Sequence, residues 1–270
     1  MSSLGHKWQK PINSEDNVIK ARVLVTNDDG IAAPGIKLLY EAACSIFSEV
    51  WVVAPASEQS GKGHSLTLQS VLEVFNTSEK IYSVAGTPTD CMILALNEIM
   101  RNSPPDLVLS GVNNGYNLCE DITYSGTIGA AIEATIAGIP AIAFSQELSE
   151  AGEIDYELSK KLIKKIIDKL INYKWPEATL LNVNFPCRYD PKFNIKITEQ
   201  GKMKLGDDII LQNQTNDTFV YKIGKMFRSD VLGSQTDIAA IKSGHVSITA
   251  LTIDLTNYKE LDNLKTLFND

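Results

Sequence analysis

The sequence predicts an α/β fold with a mostly parallel sheet, on three observations. Short apolar runs of strand type alternate with segments of helical period over the first two thirds of the chain. Polar, glycine-bearing stretches follow several of those strands. The 270 residues are 44% hydrophobic and 21% charged, enough to bury a sizeable core between helices and a sheet.

Arg22–Thr26, rich in Val and Leu, suits a strand covered on both faces. From Gly35 to Phe47, apolar residues at 36, 38, 39, 42, 43 and 46 follow a helical period. Val50–Ala54 reads as a second buried strand closed by Pro55, and Ala56–Ser65 as a loop. Val71–Phe75 and Ile81–Val84 form an expected hairpin across NTSEK. Thr89–Arg101 is an expected helix capped by Thr87 or Thr89. A Pro-Pro stop precedes a strand at Asp106–Leu109, and Gly111–Ser125 reads as a long loop. Gly126–Ala137 is an expected helix, Ala141–Phe144 a strand, Ile154–Asn172 an amphipathic helix and Leu180–Asn184 a strand. Right-handed crossovers then place helices on both sheet faces.

The texture changes near Pro186. Asn194–Thr198, Thr218–Ile223 and Val246–Leu251 read as strands separated by polar stretches, with no helix before a short one at Lys259–Phe268. Such hairpin arms often serve oligomer contacts. The organisation expected is a polar extension over residues 1–20 and one domain over 21–270, with its core in about 21–187 and a hairpin-rich part in about 188–270.

The net charge of −8 argues against a nucleic-acid polymer as partner. It also means that an anionic substrate needs local help from a cation or from backbone amides. The four cysteines, Cys44, Cys91, Cys119 and Cys187, form no C-x-x-C pair, which fits a reducing compartment. The first twenty residues lack the apolar centre of a secretory signal, and no apolar run reaches membrane-spanning length. The expectation is a cytoplasmic protein without a membrane partner.

Ligands of open parallel sheets bind outside the carboxyl ends of the strands. Three polar loops meet that rim: Asn27-Asp28-Asp29-Gly30, the stretch PASEQSGKGHS, and SGVNNGYN leading to Tyr124-Ser125-Gly126-Thr127. An acidic turn can simply bond its own backbone. Two adjacent carboxylates, however, repel each other, and each gains from a proton or a cation. Carboxylates suit Mg²⁺ or Mn²⁺, and Ser60 and Asn113 in the neighbouring loops can add neutral oxygens. Ser125-Gly126-Thr127 opens a helix, where free N–H groups attract phosphate, although a plain Ser or Thr cap has the same pattern. An acidic metal site beside an anion cradle describes metal-assisted attack on a phosphate ester. His64, alone among the three histidines in lying on a rim loop, can protonate a leaving oxygen or steady the phosphoryl group.

Other readings fit less well. Haloacid-dehalogenase-type phosphatases separate their two aspartates by one residue, whereas these are adjacent. No G-x-G-x-x-G follows the first strand, as a nicotinamide enzyme requires. A receiver domain needs an acceptor aspartate where SGVNNG stands. A nucleotide-binding regulator with little turnover is the alternative from another class.

The stretches VLVTNDDGIAAPGI, VVAPASEQSGKGHSLTL, GTPTDCMILAL, LVLSGVNNGYNLCEDITYSGTIGAAIEA and SQTDIAAIKSGHVSITAL together resemble the SurE family of stationary-phase survival proteins, which are 5′-nucleotidases. The likeness runs in order from about Arg22 to Leu255. It implies a Rossmann-like three-layer core, and C-terminal hairpins used to build a homodimer or homotetramer. It also implies a metal-dependent phosphomonoesterase acting on nucleoside 5′-monophosphates, with 3′-nucleotides and short polyphosphate as further substrates. The resemblance places one Mg²⁺ or Mn²⁺ per subunit on Asp28, Asp29, Ser60 and Asn113. Asn117, Ser125, Gly126 and Thr127 then line the phosphate pocket, with Asn27 at the same strand tip, and Asp28, Asp29 and Ser125 carry the chemistry. The chain departs from the family where Cys119 replaces a usual glycine, and where His245 and Ala250 replace a common tyrosine and proline. Glycine alone takes positive φ freely, so Cys119 bears on the conformation of its loop.

Overall fold

The computed structural model describes residues 18–189, 191–228 and 233–268. Nine strands form one sheet in the order β3-β4-β2-β1-β5-β6-β7-β11-β8. Here β1 is Ile19–Thr26, β2 Phe47–Pro55, β3 Val74–Ser78, β4 Ile81–Val84, β5 Leu107–Asn114, β6 Ala141–Gln146, β7 Thr179–Phe185, β8 Ile195–Thr198 and β11 Val246–Thr252. The neighbours from β4 through β7 all pair in parallel, while β3 and β11 run antiparallel to β4 and β7. This is the expected three-layer α/β architecture.

Alternate residues of the central strands face opposite layers. Val23 and Val25 of β1 join a core made with α1 (Pro34–Cys44) and α4 (Glu157–Leu170). Leu24 joins a second core on the other face, made with α2 (Pro88–Leu94) and α3 (Gly126–Ile136). Strand β1 pairs with β2 on one side and with β5 on the other. The connection through α1 leads to β2 and the later β5 lands on the opposite edge, so the topological switch point lies between β1 and β5. Their carboxyl ends are where such a fold opens its ligand crevice.

The structure departs from the sequence expectation in five places. Strand β5 runs on to Asn114 because its polar end still pairs with β6, Asn113 with Ser145 and Asn114 with Gln146. The stretch read as loop then contains one short 3₁₀ turn, Cys119–Thr123. Helix α2 ends at Leu94 and passes into a π-helical turn over Ala95–Ile99. An unexpected strand β9, Lys204–Gln214, pairs with β10, Phe219–Arg228, in a separate antiparallel hairpin. With no core face to impose alternation, β9 carries little strand signal. A six-residue helix α5, Asp237–Lys242, precedes β11, capped by the Thr236 hydroxyl.

A third apolar cluster, Leu118, Cys119, Met203, Ile238 and Ile241, fastens the C-terminal part to the chain that leaves β5. Helix α6, Tyr258–Phe268, buries none of its residues. No helix among the described residues is long and apolar enough to cross a membrane.

The loop after β2 returns to the core through Asp90. Its carboxylate accepts from the Thr87 amide at 2.8 Å, closing the α2 capping box, and from the Thr67 amide at 2.9 Å and hydroxyl at 2.7 Å. Replacing Asp90 by Ala removes the reciprocal half of the capping box and leaves the Thr87 and Thr67 donors unmatched, at a cost of about 2 kcal/mol. The expected result is a lower urea midpoint with an unchanged slope, and an unchanged midpoint contradicts the tether.

Candidate active site

The tip of β1 turns sharply because Asn27 Nδ2 donates to the Gly30 carbonyl at 2.9 Å. The β2 loop is drawn alongside: the Gln59 amide donates to the Asp28 carbonyl at 2.7 Å, and the Ile31 amide to the Pro55 carbonyl at 2.8 Å. The two aspartates then part. The Thr127 hydroxyl, in the first turn of α3, donates to Asp28 Oδ1. The Asn114 amide at the end of β5 donates to Asp29 Oδ2 at 3.0 Å. The pair therefore spans the crevice from the helix N-terminus to the neighbouring strand.

The helix comes this close because residue 126 is glycine. A Cβ there would stand 2.8 Å from Asp28 Cβ and 3.0 Å from a ring carbon of Pro88. Ser125 caps α3, its Oγ accepting from the Ile128 amide at 3.1 Å. Burying a carboxylate costs free energy, and both aspartates show it. Burial raises the Asp28 carboxyl above its ordinary value, partly opposed by the Thr127 hydroxyl and by amides of Gly126 and Thr127. Burial, then the neighbouring Asp28 charge, raises Asp29 to about 6, against the Asn114 amide. Burial and the Asp29 charge push the phenol of Tyr156, at the N-cap of α4, up to about 12.

This arrangement fits a hard divalent cation. Two carboxylates that each gain from a positive charge stand beside Asn27 Oδ1, which is buried with no hydrogen-bond partner. Asn113 Nδ2 donates to the Gly115 carbonyl at 2.8 Å, leaving its Oδ1 as an acceptor. Among the described residues no three His, Cys, Asp or Glu side chains cluster as a metal cage. The donor set is thus a carboxylate pair with neutral oxygens and room for water, as Mg²⁺ prefers.

The remaining expected residues take distinct places. Ser60 is exposed and donates to Glu58 Oε1 at 3.0 Å, one residue beyond the Gln59 amide that holds the Asp28 carbonyl. Asn117 is a buried strut. Its amide donates to Asn184 Oδ1 and its Nδ2 to Ser145 Oγ, each at 2.8 Å, and its carbonyl accepts from Asn182 Nδ2 at 2.8 Å. His64 Nε2 lies 2.7 Å from Glu133 Oε2. Glu133 is eight residues along α3 from Ser125, roughly 12 Å at the helical rise. The histidine is thereby tied to the side of α3 by its ring, while its backbone passes beside Gly129.

Cys119 does adopt the left-handed backbone that glycine favours, with φ of +52°. Asp237 compensates from α5: its carboxylate accepts the Cys119 amide at 2.9 Å and the Gly201 amide at 3.0 Å. Asp237, Tyr156, Glu133 and the Asn114 amide escaped sequence reasoning. A backbone donor has no side-chain signal, Tyr156 and Asp237 lie far from the rim motifs in sequence, and Glu133 reads as an ordinary polar position of α3. Only Asp237 had a local cue, its place just after the Thr236 cap.

The chain is similar to known proteins over most of its length. The family model described as "Survival protein SurE" matches residues 23–207. A protein named "5′-nucleotidase SurE" from Paramagnetospirillum magneticum is 44% identical over 248 residues, 92% of this chain and 95% of that one. Another so named, from Rhodospirillum rubrum, is 40% identical over 92% of this chain and 97% of its own length. The crystal structure of the SurE protein from Aquifex aeolicus superposes with a TM-score of 0.79 at 40% identity, over 92% of this chain and 99% of that one.

Asp29 titrates near 6 in the folded chain against an ordinary 3.8, so the fold holds that proton more firmly than the unfolded chain does. Stability of the metal-free protein therefore falls as pH rises from about 4 to about 6, and the penalty persists above that window. Above pH 6, metal-free Asp29→Asn is expected to melt about 4 °C higher than wild type, and below pH 4 the two coincide. Added Mg²⁺ or Mn²⁺ raises the melting temperature of wild type only. A variant that melts no higher at pH 7.5 contradicts this reading.

Proposed function

The chain belongs to the SurE family, and from that premise we propose that it hydrolyses nucleoside 5′-monophosphates to nucleoside and phosphate in the crevice between β1 and β5. It is a 5′-nucleotidase of that family, a phosphomonoesterase. One observation supports placing the reaction here: the Thr127 hydroxyl on Asp28 brings a charge-starved carboxylate pair and a helix N-terminus to one point.

In this proposal Asp28, Asp29, Ser60 and Asn113 hold one Mg²⁺ or Mn²⁺, with Ser60 swinging from its Glu58 contact to do so. When bound, such an ion supplies positive charge to the phosphate and acidity to a water. The Ser125 hydroxyl and the first turn of α3 at Gly126 and Thr127 orient the phosphoryl oxygens, with Asn27 beside them. Positioning of this kind is most of what phosphoryl transfer asks of a protein. Asp29, the less buried of the two carboxylates, is assigned the proton of the attacking water. Asn117 acts from beneath by fixing the loop that carries Ser125. His64 serves the site indirectly by tying its loop to Glu133. The β9–β10 hairpin exposes Ile209, Phe219 and Ile223, and isolated two-stranded ribbons are marginal in water. That supports assembly into a homodimer or homotetramer, with residues 21–270 as one folded unit.

Phosphate release from AMP separates an enzyme from a regulator that only binds nucleotide. Turnover that disappears with EDTA and returns with Mn²⁺ or Mg²⁺ is the expected result. A panel with 3′-AMP and short polyphosphate sets the breadth. Asp28→Asn is expected to lose at least a hundredfold in kcat, and Gly126→Ala at least tenfold because the added methyl displaces Asp28. Tight AMP binding without phosphate release overturns the proposal in favour of the regulator.

A further inference from the structure

Tyr124 is the residue immediately before the Ser125 cap, and the chemistry above leaves its ring unused. The side chain is 47% exposed, yet it is held firmly. Its amide donates to the Asp121 carbonyl at 3.0 Å, and its carbonyl accepts from the Gly63 amide at 2.9 Å. Lys204 Nζ lies 4.8 Å from the ring centroid and donates to the phenol oxygen at 3.2 Å. Lys204 is fixed in turn: its amide donates to Glu120 Oε2 at 3.2 Å, and its ammonium pairs with Asp207 at 3.0 Å. An aromatic ring is thus presented to solvent beside an anion-binding helix start, backed by a cation in a protein of net charge −8.

A nucleoside 5′-monophosphate carries its base one ribose beyond the phosphate, which is also about the reach of a side chain adjoining the cradle. Tyrosine offers rigid contact area with only two torsions to order. Stacking on such a ring tolerates every base, since each has a π-face, and a cation over the ring strengthens the site for an anion-bearing ligand. We propose that Tyr124, backed by Lys204, is the platform on which the nucleobase of the substrate stacks, so that it separates nucleotides from sugar phosphates without selecting among bases. The assignment rests on the nucleotidase reading and adds to it the feature that recognises the leaving group.

The test compares kcat/KM for AMP with that for ribose 5-phosphate, which lacks the base. Wild type is expected to favour AMP. Tyr124→Ala and Tyr124→Leu both lower the AMP to ribose 5-phosphate ratio about tenfold, through KM for AMP, whereas Tyr124→Phe keeps it. The Leu variant retains apolar bulk without a π-face, so a purely packing role predicts that it behaves like Phe. A ratio that is the same in Tyr124→Ala as in wild type overturns the platform while leaving the nucleotidase reading intact. A wild-type protein that cleaves neither ester removes that reading, and the platform with it.

Discussion

Two negative charges buried side by side at the end of β1 set the terms for everything around them. Asp28 is buried and Asp29 half-buried where the sheet changes direction, and the Asp28 charge raises the energy of the charged form of Asp29. Among the described residues no lysine or arginine relieves this. The fold provides neutral donors, the Thr127 hydroxyl and the amides of Gly126 and Thr127 to Asp28 and the Asn114 amide to Asp29. Those donors fix the orientation of both groups and leave most of their charge uncompensated. A carboxylate pair in this setting gains from a nearby cation.

Much of the surrounding sequence follows from that arrangement. Residue 126 is glycine because α3 must approach Asp28 at van der Waals distance. The β2 loop must run beside the tip, so Asp90 pulls it back onto α2 through Thr67. The chain leaving β5 must return to start α3 at one place. Asn182 and Asn184 anchor it at Asn117, and Asp237 anchors it at Cys119. The C-terminal part of the protein therefore reaches the cradle through several contacts, among them Asp237 on Cys119, Glu120 on the amides of Met203 and Lys204, and Lys204 on Tyr124. The hairpin that projects from Lys204 is thereby joined mechanically to the residues that open α3.

The sheet and its helices were legible because each central strand is covered on both faces and each helix buries one stripe, so pattern and burial agree. The rim residues were legible for a different reason. Only the ends of parallel strands can expose polar groups, so NDDG and YSGT stood out against apolar runs. What could not be read was pairing that depends on backbone alone. The polar end of β5 looks like loop and is strand, because β6 accepts it regardless of side chain. The β9 strand is invisible to periodicity because it packs on no core. His64 shows the limit at the site itself. Its place in a rim loop suggested phosphate contact, yet Glu133, 69 residues away in the chain, claims its imidazole.

The central claim is that the carboxylate pair exists to hold a divalent ion. Calorimetric titration of Mn²⁺ into metal-free protein at pH 6, in two buffers of different ionisation enthalpy, tests it most directly. The account predicts one ion bound per chain, with release of a fraction of a proton, because Asp29 is half protonated at that pH and must give up its proton to bind metal. It also predicts that the Asp28→Asn, Asp29→Asn double variant binds none. Binding of equal strength in the double variant, or binding with no proton released, would contradict it.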